Sequence, residues 1–190
     1  MTDPDSRPPT GSTFVVREGR IDDVDELYRL VGLLADSLDD RHRYHSTPSS
    51  FARYGFGDRP MFQTLLACEE SADEPADEPA DEPTAAAIGA CTYLPDFSTW
   101  LARPGVYILD LVVEQAHRGR GIGSALLAEA ARQGRERWDA DYLILAVDHD
   151  NHGGVRFYER EGFEADDHSR VMIRRGLDGV LDQPARPPSR

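Results

Sequence analysis

Cysteine is scarce: Cys68 and Cys91 are the only two in 190 residues. Two thiols make neither a disulfide framework nor a metal cluster, and they read as buried free thiols on two neighbouring strands. Long apolar runs are also missing. No stretch approaches the roughly 20 residues that span a bilayer, and the opening MTDPDSRPPTGS lacks the basic-then-apolar pattern of a secretory signal. A membrane role is therefore not expected, and the cytoplasm is the expected compartment. Nor is there an excess of positive charge. The formal charge is −14, and a field of that sign argues against nucleic acid, whose binding draws on phosphate neutralisation. Eight of the acids crowd into Glu69–Glu82, and without them the charge is about −6. That remainder is compatible with a cationic substrate.

What is present is a 39% hydrophobic chain, long enough to bury a core as one domain, expected over residues 13–175. Residues 1–12, with Pro4, Pro8, Pro9 and Gly11, read as a disordered lead-in, and 176–190 as a loose tail. Thr13–Arg17 reads as a strand. In IDDVDELYRLVGLLADSL, residues Ile21, Val24, Leu27, Leu30, Leu34 and Leu38 recur at helical spacing behind an acidic first turn. A second short helix is expected over Ser49–Tyr54. Met61–Cys68 and Ala86–Tyr93 read as strands joined by the acidic segment 69–84, in which ADEPADEPADEP repeats one four-residue unit three times. Like charges with a proline every fourth position cannot build a core, so this reads as a mobile hairpin loop. Leu94–Gly105 reads as a turn-rich passage and Val106–Val113 as the central strand. A helix then runs to Trp138, followed by a strand over Asp141–Val147. A helix over Asn151–Glu161 is stopped by Gly162, with final short strands at Phe163–Ala165 and Val171–Arg174. This order gives a mixed sheet covered by helices, with a parallel crossover through Gly121–Arg137.

The chain is organised around Val106–Trp138: an apolar strand, the basic glycine turn EQAHRGRGIG, and a helix that opens inside the turn. Amides at a helix N-terminus lack intrahelical partners and the dipole favours anions, so such a turn is built for phosphate oxygens. A P-loop is excluded because no lysine follows the glycines. A dinucleotide fingerprint is nearer, with Gly119 and Gly121 as its first pair, Ser124 at its third position, and Asp139 and Asp141 near its acidic position. Against it, the turn starts several residues after the strand and carries Arg118 and Arg120.

Arg118-Gly119-Arg120-Gly121-Ile122-Gly123 resembles the R/Q-x-x-G-x-G/A signature of the GCN5-related N-acetyltransferases. Asn151, Phe157-Tyr158 and Gly162-Phe163 resemble that family's second signature, with Gly154 at the usual alanine position. Tyr93, Phe97-Ser98-Thr99-Trp100, Arg103-Pro104-Gly105 and Tyr107–Val113 look like the spermidine/spermine and related diamine or thialysine branch. There Leu109 stands where that branch usually has glutamate.

The resemblance implies an α/β (α+β) fold with a mixed, mostly antiparallel sheet of six to seven strands covered by about four helices. It also implies direct transfer of acetyl from acetyl-CoA to a small amine, and a homodimer. The diphosphate and pantetheine arm are expected at Leu111, Val112, Val113, Arg118, Gly119, Arg120, Gly121, Ile122, Gly123 and Ser124, with Asn151 and Tyr158 near the cofactor. A backbone amide at Val113 or its neighbour is the expected polariser of the thioester carbonyl. Asp110 or Glu114 is the candidate proton acceptor and Tyr158 the general acid. Strand alternation sets Asp110 and Val112 on one face and Leu111 and Val113 on the other, and a bulge would re-aim one of them. Asp36, Asp39, Asp40, Tyr93, Trp100 and Asp110 are expected around the acceptor. His42 and His45 lack partners at ligand spacing, so no metal is expected. The competing functions are acetylation of protein termini or lysines, and a coenzyme-binding protein without turnover.

Overall fold

The computed structural model describes residues 14–70 and 86–166. The chain forms two compact units, Met1–His152 and Gly153–Arg190.

In the first unit, β1 (Phe14–Glu18) leads through a short 3-10 turn into α1 (Val24–Ser37), and α2 spans Pro48–Phe56. Then come β2 (Gln63–Glu69), β3 (Ala87–Ser98), β4 (Arg103–Val113), α3 (Ile122–Trp138) and β5 (Leu143–Leu145). Spatial order follows chain order, β1-β2-β3-β4-β5. The first three pairings are antiparallel and β4–β5 is parallel, as the crossover through α3 requires.

Each face of the sheet has its own core. Val24, Leu27, Leu30 and Val31 of α1 and Phe51 of α2 bury against Leu66, Cys68, Ala90 and Val112. The other face receives α3, where Gly134 lies against Val106, and Ile122 and Leu126 lie over Gly89. The start of α2 follows from its sequence: the Thr47 hydroxyl accepts from the Ser50 amide at 3.1 Å, and Pro48 occupies the first turn, where its missing N–H costs nothing.

Three expectations need correction. The passage Leu94–Gly105 is mostly strand: β3 continues to Ser98 and β4 starts at Arg103, so the turn is confined to 99–102. Pro95 is tolerated because β2 pairs no further than Tyr93, leaving that edge of β3 without a ladder to break. Ile21, placed on the apolar stripe by its spacing, lies in the 3-10 turn before α1 and is 52% exposed. The expected six to seven strands are five among the described residues, because Phe163–Ala165 has no strand pairing. The expected strand at Val171–Arg174, the lead-in, the repeat segment 72–83 and the tail lie outside the described residues.

The second unit holds the body of α4 (His152–Arg160). Gly162 ends it at φ +88°, a left-handed conformation that glycine adopts without strain, and the Phe163 amide returns to the Tyr158 carbonyl at 2.9 Å. Tyr158 packs edge-on between Phe157 and Phe163, with ring centroids 5.2 and 5.5 Å away.

Candidate active site

The site begins with one extra residue. Thr92 pairs with Asp110 but Tyr93 pairs with Ile108, so Leu109 bulges from β4. A bulge of one residue reverses everything beyond it. Val106, before the bulge, faces α3, whereas Val112, an even number of residues further on, is buried in the α1 and α2 core. Hydrogen bonding reverses too. The Val106 amide donates to Tyr142 ahead of β5, but the Glu114 amide donates to Ile88 of β3, each at 2.9 Å. Leu111 and Val113 therefore turn their N–H and C=O groups away from β3.

Among the described residues no strand receives them there. β5 pairs with β4 only as far as Ile108, so beyond the bulge that edge of β4 is open. Alongside it runs a groove of about 290 Å³ lined by Leu33, Asp36, Ser37, Val112, Val113, Glu114, Gln115 and Arg118. The groove leads to the glycine turn. Gly119 and Gly121 adopt φ +79° and +81°, and a side chain built on either would meet nothing within 4 Å among the described residues. The first amides of α3 emerge from this turn without intrahelical acceptors, and a diphosphate fits their chemistry.

The two arginines of the turn are already engaged. Arg118 Nε donates to the Val113 carbonyl at 3.1 Å. Arg120 reaches back to Glu69 at the end of β2 at 3.0 Å and to His117 Nδ1 at 2.6 Å.

On the α1 and α2 face, the bulge delivers Asp110. The Thr92 hydroxyl donates to its carboxylate at 2.6 Å. Burial pushes the Asp110 carboxyl above its ordinary value, and the Thr92 hydrogen bond only partly opposes that. Tyr44 stands within reach of this charge. Burial first, then Tyr28 and Asp110, push its phenol up to about 12, while Arg41, 5.1 Å above the ring, pulls the other way.

The other expected residues are dispersed. Glu114 is ion-paired with Arg29 of α1, so its carboxylate already has a fixed partner. Tyr93 is fully buried on the α3 face, with its hydroxyl on Gln133, and is not a wall of an acceptor pocket. Trp100 is 97% exposed in the β3–β4 turn, roughly 20 Å along β3 from Thr92, so it covers no core. Of the three α1-proximal acids, Asp36 lines the groove, Asp40 pairs with Arg43 at 2.6 Å, and Asp39 is exposed in the turn at φ +55°. Asn151 directly precedes α4, and Tyr158 belongs to the second unit. Arg29 and Thr92 were not singled out from sequence, because their relevance depends on what lies across the sheet.

The model of the acetyltransferase (GNAT) family matches residues 38–163. The chain belongs to that family. Among curated relatives of this GNAT enzyme is thialysine N-epsilon-acetyltransferase of Mus musculus, 26% identical over 133 residues, covering 70% of this chain and 74% of that one. Streptothricin acetyltransferase of Streptomyces lavendulae is 39% identical over 85 residues, covering 42% and 43%. A solved aminoglycoside acetyltransferase from an uncultured soil metagenomic sample shares the fold at TM-score 0.64 and 14% identity, covering 85% of this chain and 95% of that one. The protein is an acyltransferase, and membership of the family implies acetyl-CoA as cosubstrate. Among the described residues no helix is long and apolar enough to cross a membrane, and no three His, Cys, Asp or Glu side chains gather as a metal site.

Proposed function

We propose that this GNAT enzyme transfers acetyl from acetyl-CoA to a primary amine of a small, cationic molecule such as a polyamine, diamine or amino-acid-like compound. The observation that carries the reading is the open edge of β4 beyond the Leu109 bulge, continuous with the glycine turn at one end and backed by Asp110 on the α1 and α2 face. Relatives named for thialysine and streptothricin support a small acceptor over a protein one.

In this reading the amides across Arg118–Gly123 and Ser124 hold the diphosphate, and the edge of Leu111, Val112 and Val113 pairs with the amide-bearing arm like an added strand. The Val113 N–H, directed into the open edge, polarises the thioester carbonyl. Asp110 takes the proton that the amine must lose as nitrogen bonds to the carbonyl carbon and the C–S bond breaks. Its environment suits the task, since a carboxyl raised by burial is a better proton acceptor than an exposed one. On the resemblance, Tyr158 returns a proton to the leaving thiolate and Asn151 contacts the coenzyme. Asp36, facing the groove, contributes attraction for an ammonium group. A cytoplasmic homodimer is part of the same reading.

The test is the thermal midpoint of the full chain with coenzyme A, followed by thiol release from acetyl-CoA against polyamines, diamines, amino acids, aminoglycosides and short peptides. Coenzyme at about 100 times its Kd adds about 2.7 kcal/mol, a rise of roughly 5–10 °C for a chain of this size. An unmoved midpoint overturns the reading. Turnover with peptides alone moves the acceptor class to proteins, and a Tyr158→Phe rate equal to the parent's removes the general-acid role.

A further inference from the structure

We infer that Arg29 is a positioning residue for the donor groove, fixing the end of β4 so that the Val113 amide stands correctly in the open edge. The inference rests on the groove reading above.

Arg29 joins three partners, one on its own helix and two at the ends of β3 and β4. From α1 its guanidinium holds Glu26 of the same helix at 2.8 Å, the Ala87 carbonyl at the start of β3 at 2.7 Å, and Glu114 immediately after β4. The Glu114 amide in turn donates to the Ile88 carbonyl at 2.9 Å. Glu114 is thus held at its backbone by β3 and at its side chain by α1. The neighbouring residue, Val113, has its carbonyl held by Arg118 at 3.1 Å. His117, in the turn itself, places Nε2 3.8 Å from the second Glu114 oxygen. Glu114 therefore links α1, which forms the opposite wall of the groove through Leu33, Asp36 and Ser37, to the strand end and to the turn.

The chemistry selects arginine for this position. A planar guanidinium can address a carboxylate on each side and a carbonyl beyond them at once, and an ammonium group cannot hold that fork. The side chain is 38% exposed, so its value lies in direction more than in stability. Without it, the strand end loses its α1 anchor where the β5 ladder has already stopped.

Arg29→Met, measured on the full chain by titration calorimetry, separates this role from a structural one. Acetyl-CoA binding should weaken about tenfold, the scale expected when a contact edge shifts by a fraction of an ångström. Binding of adenosine 3′,5′-bisphosphate, which has no arm to lay along β4, should change less than twofold. Arg29→Lys should fall between, and Glu26→Gln, which removes the Arg29 partner away from the groove, should bind acetyl-CoA like the parent. If Arg29→Met does not fold, Glu114→Gln gives the same comparison with a smaller loss. Parental acetyl-CoA affinity in these variants overturns the inference while leaving the groove reading intact. Equal loss for both ligands also overturns it, because the effect would then lie at the phosphate turn. A parent protein that binds neither ligand overturns the groove reading, and this inference with it.

Discussion

At the scale of the residue, Asp110 carries an energetic cost that its chemistry explains. A carboxyl taken from water resists ionisation, and a single 2.6 Å hydrogen bond from Thr92 does not restore the lost hydration. Because its folded value lies above that of the unfolded chain, the native state holds this proton more tightly. Stability from Asp110 is therefore present at acid pH and lost as pH rises through the raised value. Asp110→Asn, which keeps an acceptor for Thr92 and cannot ionise, should match or exceed the parent's thermal midpoint near pH 8. That advantage should shrink as pH falls toward 3.8, the value of an ordinary aspartate. The same variant should lose about 100-fold or more in kcat. A variant that loses midpoint at neutral pH in step with activity would instead make Asp110 a structural residue. Sequence alone put Asp110 ahead of Glu114 and kept both as candidates. Their surroundings decide between them: Asp110 faces Thr92 and Tyr44, while Arg29 takes Glu114.

At the scale of the element, the seating of α3 on the sheet depends on a residue with no side chain. Gly134 lies inside this 17-residue helix, toward its C-terminal end, where glycine costs up to about 1 kcal/mol relative to alanine. It is kept there because a methyl group would collide with Val106 of β4. Gly134→Ala therefore sets a propensity gain of about 1 kcal/mol against overpacking of about 1–3 kcal/mol. The expected result is a thermal midpoint a few degrees lower, with weaker coenzyme binding because the N-terminus of the same helix forms the proposed phosphate turn. A raised midpoint would show that strand and helix separate easily. The long β3–β4 hairpin is the element least legible in sequence. Pro95, Pro104 and Gly105 carry turn signals locally, yet the first two sit where ladder bonds are dispensable, and Gly105 makes room for the Tyr142 ring.

At the scale of the whole molecule, the two cysteines show how side-chain parity governs chemistry. Cys68 and Cys91 lie on adjacent strands, but Cys68 is buried in the α1 and α2 core, while Cys91 pairs with Leu65, an odd three residues before Cys68, and shares the α3 face with Tyr93. Their thiols therefore point to opposite sides of the sheet, and burial pushes both above the ordinary thiol value. Neither should react with a thiol reagent in native buffer, and both should react once the chain is unfolded. A rapid native reaction at either one would contradict the packing. The chain also has no lysine, so all 21 of its basic residues are arginine and no side chain of its own offers a primary amine to compete with an acceptor.

The sequence by itself determined the elements that depend on neighbours in the chain. Helical spacing set α1, Thr47-Pro48 set the start of α2, Gly162 set the end of α4, and the run of glycines and arginines after β4 set the turn and, through its resemblance, the family. Tertiary structure decided which groups face one another. A one-residue bulge leaves almost no trace in the sequence, yet it reverses both the faces and the hydrogen-bonding edges of everything beyond it. That reversal opens the edge of Leu111 and Val113 and turns Asp110 to the α1 and α2 face, and the contacts across the sheet give Arg29 a role that nothing within α1 could have revealed.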